Sequence, residues 1–223
     1  MRTMTSLLKV TYDVMGLFSL KQYGMGHLSN TSYPIPMKAT IRGAILAQVI
    51  QQKGVAYAEK HYKTLLELPI FIQYPEQFEH NQVLLNRITN RGFSAQGTIT
   101  TPEDVEKYRT VGIRGMVHVT EVVFYIEDKL EDLERYLKGI PVLGDSESLV
   151  GLRSVEAVDT LTNVLLPFTP DLGFDHVLQE VWDWSSKKKF TKAYGYSTNR
   201  SGGNERTLCY VRQEVPASEV LDS

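Results

Sequence analysis

The sequence of 223 residues holds a single cysteine, Cys209. One cysteine excludes an internal disulfide and any metal site built from several thiolates, and it is typical of a reducing compartment. An excess of charge of one sign is also lacking, because 24 Lys and Arg stand against 26 Asp and Glu. The formal net charge of −2 gives no overall attraction to nucleic acid or acidic lipid, so a polyanion site must be a local patch.

Long apolar runs are missing as well. No run approaches the ~20 residues that a membrane-spanning helix needs, and residues 1–6 are too short and polar for a signal peptide. We therefore expect a cytoplasmic protein without a membrane partner. With 42% hydrophobic residues, the chain can bury one good core and a small second one.

The most informative segment that is present covers residues 33–43, which read Tyr-Pro-Ile-Pro-Met-Lys-Ala-Thr-Ile-Arg-Gly. Its two prolines hold the chain extended, and Thr40 is expected to cap a helix that ends at Gly54. Lys38 and Arg42 add positive charge to the helix N-terminus, which is unfavourable unless an anion such as a phosphate lies there. The alternative is a solvated Lys and Arg beside an ordinary strand-to-helix turn.

Hydrophobic patterns along the chain predict strands over residues 7–18, 69–74, 115–127 and 148–158. Helices are predicted over about 40–53, 57–68 and 128–138, while the polar residues 77–114 lack sustained apolar periodicity. This order predicts an α+β fold of the ferredoxin-like or RRM-like kind, a split βαβ unit with a long insertion between its second and third strands. The predicted domain covers residues 1–158, with the insertion at about 77–114.

Residues 159–223 are predicted to form a small β-rich extension packed on that domain. They contain an apolar run at 161–168, an aromatic cluster at Trp182 and Trp184, and a strand pattern at 208–215. Within them, residues 185–212 carry seven Lys and Arg against one Glu, a net charge of +6, whereas residues 121–134 carry a net charge of −5.

Aromatic residues interleave with the cations of this basic segment, namely Phe190, Tyr194, Tyr196 and Tyr210. Stacking faces beside cations are what single-stranded nucleic acid binds. The RNA-binding candidates in the segment are Lys187, Lys188, Lys189, Lys192 and Arg200. The alternative interpretation is a solvated loop around residues 197–204.

Two motifs carry a resemblance to a known family. The Tyr-Pro-Ile-Pro segment running into Thr-Ile-Arg-Gly, and the later Gly-Asp-Ser-Glu-Ser-Leu-Val at 144–150, resemble motifs of the fifth CRISPR-associated protein family, a member of the RAMP superfamily. The resemblance covers roughly residues 5–158. It implies a subunit that holds the 5′ handle of the CRISPR RNA in a type I Cascade complex, with a β-hairpin "thumb" at the insertion.

The same resemblance implies RNA contacts at matching positions. The alternative is that the glycines serve packing or turns and that the serines only satisfy backbone groups. The first motif supplies Tyr33, Lys38, Thr40, Arg42 and Gly43, and the second supplies Gly144, Ser146 and Ser148. For the thumb tip we choose Arg87, Asn90, Arg91 and Phe93, because arginine pairs with phosphate and phenylalanine stacks on a base.

Three functions remain open at this stage. The favoured one is a non-catalytic RNA-binding subunit whose partners are the CRISPR RNA handle, the Cascade backbone subunit and the large subunit, with target DNA reached only through the complex. A second is an endoribonuclease of the same family, and a third is an unrelated ferredoxin-like domain. No histidine pairs with Lys and Tyr at a motif-like spacing, and His27 is the only one in a glycine-flexed loop, so we predict no catalytic residue, metal or cofactor.

Overall fold

The structure is a computed structural model that describes residues 7–20, 31–88, 103, 109–144, 148–169, 177–190 and 204–221. The strands are β1 Leu7–Val14, β2 Ile70–Ile72, β3 Glu79–Ile88, β4 Arg109–His118, β5 Glu121–Glu127, β6 Val150–Val158, β7 Thr160–Pro167, β8 Leu178–Trp184 and β9 Asn204–Pro216. The helices are α1 Lys38–Lys53, α2 Val55–Glu67, α3 Leu133–Lys138 and α4 Ala217–Leu221. The predicted α+β class is confirmed.

The main sheet has four strands in the order β2-β5-β1-β6, and every neighbouring pair is antiparallel. The register pairs Val10 with Phe124 and Tyr12 with Val122, so these side chains share one face of the sheet. That face is buried in the larger core, together with the apolar residues of α1, α2 and α3. Side chains alternate across a strand, and every second residue therefore enters this core.

Helix α1 begins two residues before the predicted position. Met37 is its N-cap, with extended backbone and no side-chain hydrogen bond, so the prediction that Thr40 caps the helix is wrong. The 3.6-residue spacing of Ile41, Ala44, Ile45 and Val49 predicts a buried apolar stripe on this helix. Ile41, Ile45 and Val49 are buried, and Ala44 is half-buried. At the other end Gly54, at φ 87°, donates its N–H to Ile50 O over 2.9 Å and ends the helix as predicted.

The polar insertion contains an antiparallel hairpin of β3 and β4, with ten paired positions. The strand predicted over residues 115–127 is therefore two strands, since its first half belongs to β4 and its second half to β5. The chain changes partner at Val119 and Thr120, where Val14 N–H donates to Thr120 O over 3.1 Å. The predicted helix over 128–138 is also shorter, because Asp132 adopts φ 61° immediately before α3.

The C-terminal residues form a second sheet in the order β7-β9-β8. Its strands β7 and β9, with α4, cover the other face of the main sheet through a separate small core that includes Leu7, Tyr125, Leu161 and Val215. Strand β8, which the sequence patterns did not predict, packs Val181 and Trp184 into the larger core. Among the described residues, no helix is long and apolar enough to cross a membrane.

Candidate functional site

Residues 18–20, called here the 18–20 segment, connect the hairpin to both sequence motifs. Phe18 and Val117 exchange two backbone hydrogen bonds, of 2.8 and 2.7 Å, and both side chains are fully buried. The segment thus fastens the base of the hairpin to the main domain. The contacts of the next two residues bring the motifs to the same place.

The second motif hydrogen-bonds to Ser19. Ser148 Oγ accepts the Ser19 N–H over 2.9 Å and donates to the Ser19 carbonyl over 3.0 Å. Ser19 Oγ in turn donates to Gly115 O in β4, over 3.3 Å. Gly144 has φ 132°, and a Cβ there would lie 2.9 Å from the Ser19 carbonyl oxygen. Ser148 and Gly144 therefore position the hairpin base, while Ser146 lies outside the described residues.

Leu20 is bound by the first residue of the first motif, Tyr33, and by Ser32 immediately before it. Ser32 Oγ accepts the Leu20 N–H over 2.8 Å, and Tyr33 N–H donates to Leu20 O over 2.9 Å. The Tyr33 side chain is buried, and its hydroxyl donates to Glu180 Oε1 in β8 over 3.4 Å. Burial raises the pKa of Tyr33 above its ordinary value. Both motifs thus meet the hairpin base within three consecutive residues.

The two cations of the first motif point into the protein. Arg42 is 5% exposed, and its guanidinium donates to both carboxylate oxygens of Asp183 and to Leu65 O. Lys38 Nζ lies 5.5 Å from the centre of the Phe71 ring, and burial lowers its pKa. The anion that meets these charges is Asp183 of the same chain, which takes the place of the predicted phosphate. Arg42 is a structural residue in this fold.

The remaining residues of the motif are also accounted for by packing. Thr40 lies inside α1 and is half-buried. A Cβ on Gly43 would lie 3.9 Å from Trp184 Cζ2, which is an ordinary van der Waals distance. The backbone of Gly43 is helical, so neither its conformation nor its packing requires a glycine.

A cleft of about 340 Å³ lies between the proline segment and the start of the hairpin. Pro34, Pro36 and Gln73 line it together with residues 119–123. Its charged lining residues are Glu76 and Glu121, and it has no Lys or Arg among the lining residues described. The cleft therefore does not suit a phosphate group.

The three consecutive lysines of the basic tail differ sharply in environment. Lys187 and Lys189 are exposed, whereas Lys188 is 6% exposed. Lys188 Nζ donates to Asn204 Oδ1 over 2.9 Å and lies 4.9 Å from the Trp184 ring, and burial lowers its pKa. Only the outer two lysines of the triplet are thus placed to meet a phosphate backbone. Lys192 and Arg200 lie outside the described residues.

The predicted tip of the thumb falls mostly outside the described residues. Asn90, Arg91 and Phe93 lie there, as does His27. Arg87 lies in β3 opposite Thr110, and its side chain is outside the described part. Within the described ranges, no group of three or more His, Cys, Asp or Glu side chains could hold a metal ion.

Sequence reasoning missed one cluster of side chains on the C-terminal sheet. Arg206 lies over the Trp182 ring at 5.0 Å, and Trp182 Nε1 donates to Glu180 Oε1 over 2.6 Å. The signal available was the alternation of Glu180, Trp182 and Trp184 at every second position, which is typical of a strand. Without the strand, the proximity of Arg206 could not be inferred.

No protein-family model matches the chain, and no curated protein is significantly similar to it. Solved structures with a similar fold include CRISPR proteins. A CRISPR protein from Archaeoglobus fulgidus aligns at 15% identity over 93% of this chain and 86% of that chain, with a TM-score of 0.48. A chain of a CRISPR RNA-guided surveillance complex aligns at 15% identity over 96% and 92%, with a TM-score of 0.45.

A chain of the type III-B Cmr-beta complex bound to cognate target RNA also aligns, at 15% identity over 69% of this chain and 60% of that chain, with a TM-score of 0.47. These proteins belong to the CRISPR class that the sequence motifs resemble. Identity of 15% and TM-scores below 0.5 do not identify functional residues. The roles of individual side chains therefore follow from the contacts described above.

Proposed function

We propose that this chain is a non-catalytic RNA-binding subunit of a type I CRISPR surveillance complex, and that it holds the 5′ handle of the CRISPR RNA. The observation that carries the proposal is the convergence at the 18–20 segment. Two motifs that begin 111 positions apart in the sequence, at Tyr33 and Gly144, and the base of a long hairpin are joined there by buried and half-buried hydrogen bonds. These contacts hold the base of the hairpin in a fixed position on the domain.

In this proposal the four-stranded sheet with α1, α2 and α3 is a split βαβ unit of the ferredoxin-like kind. The strand order β2-β5-β1-β6 and the placement of the hairpin between β2 and β5 support it. RNA contacts are assigned to Lys187 and Lys189 and to the hairpin. The backbone and large subunits of the complex are the proposed protein partners.

Binding to a defined RNA tests the proposal. The purified full chain is titrated with a guide RNA that carries its native 5′ handle and with the same RNA carrying a scrambled handle. We expect at least tenfold tighter binding to the native handle, and co-purification with the other subunits when they are expressed together. Equal binding to both RNAs, with no subunit association, would overturn the proposal.

The absence of catalysis is part of the proposal and has its own test. Metal-independent cleavage needs an acid and a base within hydrogen-bond reach of the reacting oxygens. Proton transfer by such groups typically raises the reaction rate by ~10²–10⁴-fold. We expect the purified chain to leave a guide precursor intact at neutral pH. Specific cleavage at the handle boundary that is lost in His27→Ala would make the chain an endoribonuclease instead.

A further inference from the structure

Four side chains lie together on one face of β8 and β9, with Arg206 and Leu208 exposed and Glu180 and Trp182 half-buried beside them. The register pairs Trp182 with Arg206 and Glu180 with Leu208, so all four share one side of the sheet. The opposite side carries Val181 and Cys209, which are buried in the larger core. This outer surface, defined by Glu180, Trp182, Arg206 and Leu208, is called the β8–β9 surface below.

Glu180 holds the β8–β9 surface in one arrangement. Its Oε1 accepts the Trp182 Nε1–H over 2.6 Å and the Tyr33 hydroxyl over 3.4 Å, and its Oε2 lies 3.9 Å from Arg206 Nη1. Arg206 spreads over the Trp182 ring at 5.0 Å. An indole, a guanidinium and a carboxylate are thus fixed before any ligand arrives, which reduces the ordering cost of binding.

The surface remains open to solvent. The Arg206 side chain is 57% exposed, and Leu208 is 47% exposed. The exposed part of the Arg206 guanidinium can contact an aromatic ring from solution, and the neighbouring leucine adds an apolar contact. The carboxylate of Glu180, 37% exposed, can accept an N–H from the edge of the same ring.

We propose that the β8–β9 surface is a stacking site for one unpaired base of single-stranded RNA. The base donates an N–H from its edge to Glu180. Adenine, cytosine and guanine do so through an exocyclic amino group, whereas uracil is disfavoured because its N3–H lies between two carbonyl oxygens that repel the carboxylate. The charge of the neighbouring chain favours RNA over a protein partner, because residues 185–212 carry a net charge of +6 and Lys187 and Lys189 are exposed just beyond β8. The inference rests on the proposed RNA-binding function and extends it to a defined base contact.

Tryptophan fluorescence reports the stacking directly. The chain has two tryptophans, of which Trp184 is buried and Trp182 is half-buried beneath Arg206. We expect saturating handle RNA to quench the emission, and we expect the quenching to disappear in Trp182→Phe although RNA still binds. A set of handle RNAs, each with one nucleotide made abasic, should contain one position at which quenching is lost. Uracil at that position should weaken binding about tenfold.

Two arginines of β9 provide a matched comparison. Arg206 pairs with Glu180 and Arg212 pairs with Glu219, but only Arg206 covers an indole. Arg206→Ala should weaken RNA binding about tenfold more than Arg212→Ala. Arg206→Lys, which keeps the charge and removes the plane, should behave like the alanine variant. Circular dichroism and thermal unfolding check that each variant is folded.

The outcomes separate this inference from the proposed function. Handle-specific binding without quenching, or with equal losses for the two arginine variants, overturns the base-stacking site and leaves the proposed function standing. Quenching that arises only when another subunit binds makes the surface a protein contact and also overturns the inference. No RNA binding by the wild-type chain overturns both.

Discussion

Arg42 and Asp183 form a two-point ion pair that joins α1 to β8. Arg42 Nε donates to Asp183 Oδ1 over 2.7 Å, and Nη2 donates to Oδ2 over 3.0 Å. Two charge-assisted bonds in parallel are geometrically specific. The pair therefore fixes how the C-terminal sheet packs on the main domain.

Removing one partner should destabilise the protein strongly. Asp183→Asn leaves the buried guanidinium without its charge partner, and we expect a loss of about 3 kcal/mol in the free energy of unfolding, measured with urea. As a control, Arg153→Ala removes an exposed arginine that pairs with Asp13 and Glu121, and it should barely change stability. Equal losses in the two variants would contradict a structural role for Arg42.

Substitution by alanine should change the free energy of unfolding differently at the two motif glycines, Gly144 and Gly43. Gly144→Ala forces a side chain into φ 132° and against the Ser19 carbonyl, and should cost about 1–3 kcal/mol. Gly43→Ala has room beside Trp184 inside a helix, and should be neutral or stabilise by roughly 0.5–1 kcal/mol. Thermal unfolding of the pair measures both effects. A stable Gly144→Ala would mean that the turn tolerates a side chain and that its conformation is not strained.

The three consecutive lysines should have different roles, with Lys187 and Lys189 binding RNA and Lys188 stabilising the fold. The double variant Lys187→Ala/Lys189→Ala should lower the slope of log affinity against log salt by up to roughly 1.4, because each phosphate contact on a single strand contributes ~0.7. Its stability should be unchanged. Lys188→Ala should lower the melting temperature and leave the salt slope alone, since Lys188 packs on Trp184 and binds Asn204. A slope that falls only in Lys188→Ala would reverse this assignment.

The outer part of the hairpin should be dispensable for folding. Replacing residues 83–114 by Asn-Gly keeps four cross-strand pairs, from Gln82–Gly115 to Glu79–His118, and a turn suited to a two-residue hairpin. It also keeps the Phe18–Val117 and Ser19–Gly115 bonds. We expect a cooperative unfolding transition like that of the full chain, together with loss of assembly into the complex.

A matched deletion that removes residues 79–118 supplies the control for the hairpin. It eliminates Val117, which is fully buried, and should unfold the domain. If the shorter deletion unfolds as well, the outer hairpin contributes to the core and the prediction fails.

The single cysteine should make stability fall at high pH. Burial raises the pKa of the Cys209 thiol to about 11, above its ordinary value of 9.0. Below pH 9 the thiol is protonated in both states; above it the unfolded chain loses the proton first, so stability declines as pH rises from 9 towards 11. Cys209→Ala should reduce the decline by an amount on the order of 2 kcal/mol, and the part that remains comes from buried tyrosines such as Tyr33, whose pKa is also raised. Parallel curves for the two proteins between pH 8 and 11 would refute the assignment.

Local patterns determined several elements of this protein. The stripe of Ile41, Ile45 and Val49 and the stop at Gly54 predicted α1 to within two residues, because a helix is specified by contacts three and four residues apart. The strand pattern at 208–215 likewise lies within β9. The two motifs could be recognised from the sequence, but the sequence alone did not show that they meet at Ser19 and Leu20.

Tertiary structure decided the rest. The hydrophobic pattern of residues 115–127 shows no break between two strands. Only the strand pairing separates them, because β4 pairs with β3 and β5 pairs with β1. The partner of Arg42 lies 141 positions away, and no local signal distinguishes an arginine aimed at a phosphate from one aimed at Asp183. Lys188 is buried although both neighbouring lysines are exposed, because it contacts Trp184 and Asn204. The position of Asn204 beside Lys188 depends on the pairing of β8 with β9 and is not visible in the local sequence.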